Sequence, residues 1–188
     1  AYVAPSASLN TGYGNYNSRV NISATALIGS RAEAIGVAGG LLGVGASLAD
    51  ATASPDVRAG LGHAAVAEHT TATPANVTVV TGGNLLISAV SGSLVEDGYM
   101  AEAKSIASSG GLIGVSSTNS TVNNNSKARS FVGDNSRLDV ANTVTVVATN
   151  ITRQLADSDA NSGGLIGAGA VKSNITADTD TESYIATG

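Results

Sequence analysis

Gly110-Gly111-Leu112-Ile113-Gly114 is a small apolar block bracketed by glycine, and related blocks occur twice more in the chain. The copies are Gly39-Gly40-Leu41-Leu42-Gly43 and Gly163-Gly164-Leu165-Ile166-Gly167. A second block follows each start at the same offset, as Gly60-Leu61-Gly62, Phe131-Val132-Gly133 and Tyr184-Ile185-Ala186. Recurrent blocks of this kind are typical of stacked repeats.

The spacing of the blocks predicts the size of one coil. The spacings between the starts are 110 − 39 = 71 and 163 − 110 = 53, and they differ by 71 − 53 = 18. We interpret about 18 residues as one coil, so that the short repeat has about three coils and the long one about four. The extra coil is expected within Thr70 to Gly92. About ten coils, spaced by about 4.8 Å, predict a rod of roughly 50 Å.

The whole chain, residues 1–188, is expected to be a single solenoid segment made of imperfect repeats. The repeats are 1–38 (partial), 39–109, 110–162 and 163–188 (partial). Tyr2-Val3-Ala4 looks like a further copy of the second block, so the chain begins and ends inside a repeat. This pattern predicts a slice, or a processed piece, of a longer protein.

Alternation with period two predicts the strands. The apolar faces are Val20, Ile22, Ala24 and Ala26; Val144, Val146 and Ala148; and Val171, Ser173, Ile175 and Ala177. A short helix over Arg31 to Ala38 is conceivable, because this segment is rich in alanine. Asn123-Asn124-Asn125 predicts either a ladder of side-chain hydrogen bonds between coils or a surface loop.

The repeats predict an all-β fold, a parallel β-helix with about 18 residues per coil, and the composition agrees with it. The chain is 43% hydrophobic but only 3% aromatic, with no Trp. Small aliphatic side chains suit a narrow interior filled in thin layers. The net charge of −5 and the pI of about 4.8 argue against nucleic acid and anionic membranes as partners. No apolar run approaches the length of a membrane span.

Few residues are candidates for a chemical site. His63, His69 and Glu68 are too few for a metal centre, and we interpret them as exposed loop residues. Asp178, Asp180 and Glu182 predict either a weak calcium site or a solvated acidic face. Two tyrosines, Tyr13 and Tyr16, form either a sugar platform or a cover over a turn. No catalytic constellation is recognisable, so we expect neither an enzyme nor a cofactor.

The Gly-Gly-Leu-Ile-Gly blocks, with alternating Ala/Ser/Thr/Asn-rich strands and a Tyr-Ile or Phe-Val block, resemble repeats of large bacterial filamentous adhesins. The nearest groups are the leukotoxin-like and filamentous-haemagglutinin-like proteins. The resemblance covers nearly the whole chain. It implies a right-handed parallel β-helix at the cell surface, acting as a stalk or filament. The heads of trimeric autotransporters are a second likeness, which the predicted coil length disfavours because their coils are shorter.

The leading functional hypothesis is an extracellular structural protein. Parallel coils leave unpaired edges at both ends of a slice, so the expected partners are copies of the chain or adjoining repeats. Surface glycans of host or neighbouring cells are further candidate partners. The structural repeat glycines would be Gly39, Gly40, Gly110, Gly111, Gly163 and Gly164. The alternatives are a carbohydrate-binding or carbohydrate-acting β-helix protein and a flat ligand-binding solenoid, for which regular threonine ranks are missing.

Overall fold

The computed structural model describes residues 1–12, 14, 16–62, 76–94 and 98–186, and every regular element in them is a β-strand. The first five strands are β1 (Tyr2–Val3), β2 (Ser8–Gly12), β3 (Arg19–Ile28), β4 (Ser30–Ala38) and β5 (Leu42–Ala53). The next five are β6 (Asp56–Leu61), β7 (Thr78–Thr81), β8 (Asn84–Ser93), β9 (Ala101–Ser109) and β10 (Ile113–Asn124). The last six are β11 (Lys127–Val132), β12 (Arg137–Val140), β13 (Val144–Asn150), β14 (Gln154–Ser162), β15 (Ile166–Ala177) and β16 (Asp180–Ile185).

These strands form five parallel sheets, which the chain visits in a fixed order. Sheet 1 has the order β1-β6-β11-β16, and sheets 2 to 5 have the orders β2-β7-β12, β3-β8-β13, β4-β9-β14 and β5-β10-β15. We call one passage through all five sheets a layer. Layer 1 is β1–β5, layer 2 is β6–β10, layer 3 is β11–β15, and β16 begins a fourth. The predicted all-β architecture is confirmed, and its stacked parallel strands are consistent with a β-solenoid.

Each layer is much longer than the predicted coil. Gly114 pairs with Gly43 below it and with Gly167 above it, at sequence offsets of 114 − 43 = 71 and 167 − 114 = 53. The predicted coil of about 18 residues is therefore wrong, because one whole repeat makes one layer of five strands. The rod of ten coils is wrong as well. Three layers and β16, spaced by about 4.8 Å, give a depth of roughly 15–20 Å.

The difference between the two repeat lengths comes from two longer connections in layer 2. The offset between paired residues of layers 2 and 3 is 71 in sheet 1 (131 − 60), 59 in sheets 2 and 3 (137 − 78) and 53 in sheets 4 and 5 (154 − 101). The β6–β7 connection is thus longer than β11–β12 by 71 − 59 = 12, and β8–β9 is longer than β13–β14 by 59 − 53 = 6. The prediction of an extra coil within Thr70 to Gly92 is wrong for the described residues of this range. They contain β7 and most of β8, which are the regular layer 2 strands of sheets 2 and 3. Residues 70–75 lie outside the described residues.

The five sheets enclose a flattened interior with two cores. Sheets 1, 2 and 3 surround a wide core of buried Val20, Ile22, Val57, Ala59, Leu61, Val77, Val79, Leu85, Ile87, Ala89 and Val132. Sheets 4 and 5 face each other across a narrow core of Ala49, Ala51, Ala53, Met100, Ala101, Ala103 and Val122. The predicted inward face of β13 is confirmed, because Val144, Val146 and Ala148 align with buried residues of β8.

Sheets 4 and 5 approach closely because small residues separate them. A Cβ on Gly45 would lie 2.7 Å from the carbonyl oxygen of Ser108, and one on Gly36 would overlap the carbonyl oxygen of Ala46. Side chains larger than hydrogen do not fit at these two positions. The interior therefore narrows from aliphatic side chains at one end to glycine, alanine and serine at the other.

Two local predictions are corrected by this pairing. The conceivable helix over Arg31 to Ala38 is wrong, because this segment belongs to β4 and pairs in register with β9. Strand pairing and burial of alternate residues override the helix propensity of alanine here. The asparagine ladder is also wrong, since Asn124 stacks between Ala53 and Ala177. The surface-loop alternative fails for Asn123 and Asn124, which are part of β10.

Candidate assembly surfaces at the ends and edge of the stack

The Gly-Gly turns join sheets 4 and 5 at the narrow edge of the molecule. The second glycine of each pair has a positive φ, +129° at Gly40, +148° at Gly111 and +145° at Gly164. A Cβ on Gly111 would overlap the carbonyl oxygen of Gly40 in the layer below, and the same holds for Gly164 over Gly111. The first glycine is different, because a Cβ on Gly39 or Gly110 would meet nothing within 4 Å.

Large aliphatic side chains cover the outside of this turn. Leu41, Leu112 and Leu165 follow the glycine pairs and are all exposed, Leu165 to 83%. Beside them Leu42, Ile113 and Ile166 form an in-register column. We call these six residues the apolar ridge. It runs along the stacking axis, so each further layer of the same sequence would lengthen it.

The far end of the stack leaves layer 3 uncovered. In the described chain, β12, β13, β14 and β15 have a strand partner on one side only. Inward-facing Val171 and Ile175 are consequently 56% and 53% exposed, although Val122, next to Ile175 in the same column, is fully buried. This surface combines open backbone groups with apolar side chains, the combination that favours strand addition.

The near end is open in the same way. Within the described residues, β2, β3, β4 and β5 pair only with layer 2. The two-residue strand β1 covers part of β6, at Gly60 and Leu61. The first four residues of β6, Asp56 to Ala59, have no strand pairing on that side in the described chain. Both ends of the stack thus present several unpaired parallel strands.

Arg129 is the centre of a charged cluster on the outer face of sheet 1. Its Nε lies 3.1 Å from Asp180 Oδ2 and 3.4 Å from Glu182 Oε2, and its side chain is only 11% exposed. The hydrogen bond to Asp180 is the main cause that raises the pKa of Arg129, so the guanidinium stays charged. These contacts anchor β16 to β11.

The calcium candidates are placed differently from the sequence hypothesis. The structure brings Asp180 and Glu182 together, but on Arg129. Asp178 precedes β16, and its backbone N–H donates to the carbonyl of Asn124 over 2.8 Å. Among the described residues, no group of three His, Cys, Asp or Glu could hold a metal ion.

A second ion pair lies below this cluster in sheet 1. Arg58 Nε donates to Asp56 Oδ1 over 2.8 Å. This hydrogen bond lowers the pKa of the Asp56 carboxyl below its ordinary value, despite an opposing effect of partial burial. Arg58 and Arg129 stack in one column, which Glu182 continues in β16. The signal for this column was present in the sequence, since all three lie at the same offset from a Gly-Gly start (58 − 39, 129 − 110 and 182 − 163 are equal).

The remaining candidates are located as follows. His63, Glu68, His69 and Tyr13 lie outside the described residues. Tyr16 is described and 78% exposed. No helix among the described residues has the length and apolar character needed to cross a membrane. Gly43 and Gly45 had been interpreted from the sequence as turn glycines, but they lie in β5. The close packing of Gly36, Gly43 and Gly45 was not predicted, because their constraint comes from neighbouring backbones.

No family model, curated protein or solved structure matches this chain significantly.

Proposed function

We propose that this chain is a structural segment or subunit of a bacterial surface filament or adhesin stalk, located outside the cell. The observation that carries the proposal is the open end of layer 3, where unpaired strand edges lie beside exposed Val171 and Ile175. An added layer would pair these edges and cover these side chains. In this proposal the added layer belongs to an adjoining repeat or to another copy of the chain.

The periodicity of the columns supports addition of further layers. Gly43, Gly114 and Gly167 occupy one column, so the close approach of sheets 4 and 5 is repeated in every layer. The connection lengths vary between layers, yet the strands stay in register apart from a shift between Asn10 and Gly12 of β2. A stack with these properties grows by contacts between neighbouring layers alone. Head-to-tail contacts that do not close on themselves produce a fibre.

We further propose that the chain winds in the right-handed sense. Parallel strands joined by crossover connections are right-handed in about 98% of cases. Surface glycans as partners, and the alternative of a carbohydrate-binding or carbohydrate-acting protein, remain predictions.

The proposal is tested by electron microscopy and sedimentation of the purified chain over a concentration series. We expect particles that lengthen along one axis as concentration rises, with constant width. Short particles of one length at all concentrations would contradict self-assembly by this chain. A longer natural polypeptide that includes the chain should then be imaged, and its repeats are expected to extend one rod. Round particles in both experiments would overturn the proposed function.

A further inference from the structure

The outer face of sheet 5 is almost free of charge. Strands β5, β10 and β15 pair in register along their whole length, and alternate side chains point outward from Leu42, Ile113 and Ile166 onwards. Asp50 and Lys172 are the only charged residues among these outward positions. The other outward side chains are aliphatic or small and neutral.

The outer face of sheet 4 has the opposite character. It carries charged side chains in all three layers, namely Arg31, Glu33, Glu102, Lys104, Asp157 and Asp159. Several of them pair within the face, since Arg31 lies within 3.4 Å of Glu33 and within 3.7 Å of Glu102. Sheets 4 and 5 face each other across the narrow core. One broad side of the molecule is therefore charged and hydrated, and the other is nearly uncharged.

The half of the sheet 5 face beside the Gly-Gly turns is apolar, and the apolar ridge forms its border. Val115 shows that this exposure does not come from the open ends of the stack. It lies in layer 2 between Val44 and Ala168, and it is still 40% exposed. The main strand contacts of β10 are within sheet 5 and across the narrow core to sheet 4, so no described strand covers this face. A contiguous exposed apolar patch of this kind marks an interaction surface.

We infer that the outer face of sheet 5 packs against the same face of a second copy, side by side, about a two-fold axis parallel to the strands. The resulting interface is isologous, because each copy contributes the same residues. The inference goes beyond the proposed end-to-end assembly, since it joins neighbouring stacks laterally.

The distribution of apolar residues selects this orientation of the axis. An axis along the strands places the apolar half of one copy over the apolar half of the other and reverses the order of the layers. An axis along the stack would instead place the Leu42 end of β5 over the Thr52 end. Only the first arrangement removes apolar surface of both copies from water.

In this arrangement layer 1 of one copy faces layer 3 of the other, and the two faces are complementary. The larger Val44 lies opposite Ala168 of the second copy. Lys172 of the second copy lies opposite Leu48, where its aliphatic stem packs and its ammonium group reaches Asp50, two residues further along β5. Neither Asp50 nor Lys172 forms an ion pair with another described residue of its own copy. The symmetry creates this pair of opposite charges twice.

The area of the face is sufficient for a specific contact. Its strands have twelve residues, or about 40 Å, and three of them span about 14 Å. The product is about 550 Å² per copy and about 1,100 Å² for both, which exceeds the roughly 1,000 Å² expected of a specific interface. The pairing uses only β5, β10 and β15 and leaves both ends of the stack open. It therefore depends on neither terminus of the chain.

The pairing is tested by cross-linking through a single cysteine. Ser117 is exposed in the middle of β10, so the axis places it opposite Ser117 of the second copy. A bismaleimide with a spacer of about 10 Å matches the separation of two packed sheets. The native chain has no cysteine, so Ser117→Cys should give covalent dimers and no larger species. Ser108→Cys is the matched control, since Ser108 points outward in the same layer on sheet 4. Absence of dimers from Ser117→Cys, or equal yields from both variants, would overturn the inference.

A charge exchange tests the orientation of the two copies. Asp50→Lys and Lys172→Asp each place like charges together, and each should raise the Kd of the dimer by about tenfold. The double variant Asp50→Lys/Lys172→Asp restores opposite charges and should return the Kd to within about threefold of the original. Sedimentation velocity measures all three dissociation constants. Single variants without effect, or a double variant weaker than either, would overturn the antiparallel pairing.

Particle width separates this inference from the proposed function. Ser117→Lys places two positive charges on the axis and should halve the width of particles in electron micrographs while they still lengthen with concentration. Lengthening particles whose width is the same with and without Ser117→Lys would overturn lateral pairing and leave the proposed function standing. Dimers that never lengthen would support the pairing and contradict self-assembly end to end.

Discussion

At the scale of single residues, the two glycines of each turn have different roles. Gly111 combines φ of +148° with a Cβ position that overlaps the Gly40 carbonyl, whereas a Cβ on Gly110 meets nothing within 4 Å. We expect Gly111→Ala to lower the free energy of unfolding by about 2–3 kcal/mol. Gly110→Ala should change it by less than about 0.5 kcal/mol. Urea denaturation followed by circular dichroism measures both, and equal losses would contradict the assignment.

Two buried hydroxyl groups in the narrow core, those of Thr118 and Ser120, differ in whether they form hydrogen bonds. Thr118 is 2% exposed, and its hydroxyl has no hydrogen-bond partner among the described residues. Thr118→Val should raise the free energy of unfolding by about 1 kcal/mol, since it removes an unsatisfied polar group and keeps the volume. Val171 already occupies this column in layer 3. Ser120→Ala is the matched control, because Ser120 bonds to Ser105 and to the Asp157 carbonyl, and it should lower stability.

The sequence correctly predicts which side chains of a strand face the interior, but it does not predict which glycines are constrained by close packing. The inward set Val20, Ile22, Ala24 and Ala26 follows from alternation alone, which depends only on neighbours along the chain. The constraint on Gly45 depends on the carbonyl of Ser108, which belongs to β9 in the next layer and is remote in sequence. No local pattern reports such a contact. The sequence shows that Arg58, Arg129 and Glu182 lie at the same offset from a Gly-Gly start. Their stacking in one column follows from this offset only when one repeat is taken as one layer.

At the scale of elements, the Asp56–Arg58 pair makes the stability of β6 dependent on pH. Because Arg58 lowers the pKa of Asp56 in the folded chain, the pair stabilises the fold above about pH 4, the unfolded value. This contribution is lost as the pH falls through the lower, folded pKa. Asp56→Asn should cost about 0.5 kcal/mol at pH 7, a small value because the Asp56 side chain is 42% exposed. The cost should shrink as the pH falls through this folded pKa.

A double-mutant cycle with Arg58→Met isolates this ion pair. In the Arg58→Met background, the cost of Asp56→Asn should be smaller and depend less on pH, because the largest cause of the lowered pKa is gone while Arg129 and Lys127 remain. Chemical denaturation at pH 7 and at pH 2 gives all four free energies of unfolding. A pH dependence of undiminished size in the Arg58→Met background would assign the effect to another group.

The elements also show where pattern recognition of repeats fails. The blocks do recur in successive layers, as the sequence predicts. The prediction of short coils is wrong because the difference of 18 residues between the two repeat lengths does not correspond to a coil. The register assigns that difference to the longer β6–β7 and β8–β9 connections, which leave strand pairing unchanged. A longer connection and an additional coil increase the repeat length in the same way. Only the strand pairing distinguishes the two. The alanine-rich β4 was ambiguous for a related reason, since its partner β9 is remote in sequence.

At the scale of the whole molecule, stability should vary from layer to layer. In a stack each layer contacts only its neighbours, so layer 2 is supported on both faces and layers 1 and 3 on one. Amide hydrogen exchange of dilute monomer should therefore be slowest in β8, β9 and β10, and faster in β2 to β5 and β12 to β15. Assembly end to end should slow exchange in β2 to β5 and β12 to β15 and change layer 2 little. If copies instead packed side by side through the apolar ridge, the unpaired amides at both ends would stay open, and exchange in the terminal layers would remain fast at all concentrations.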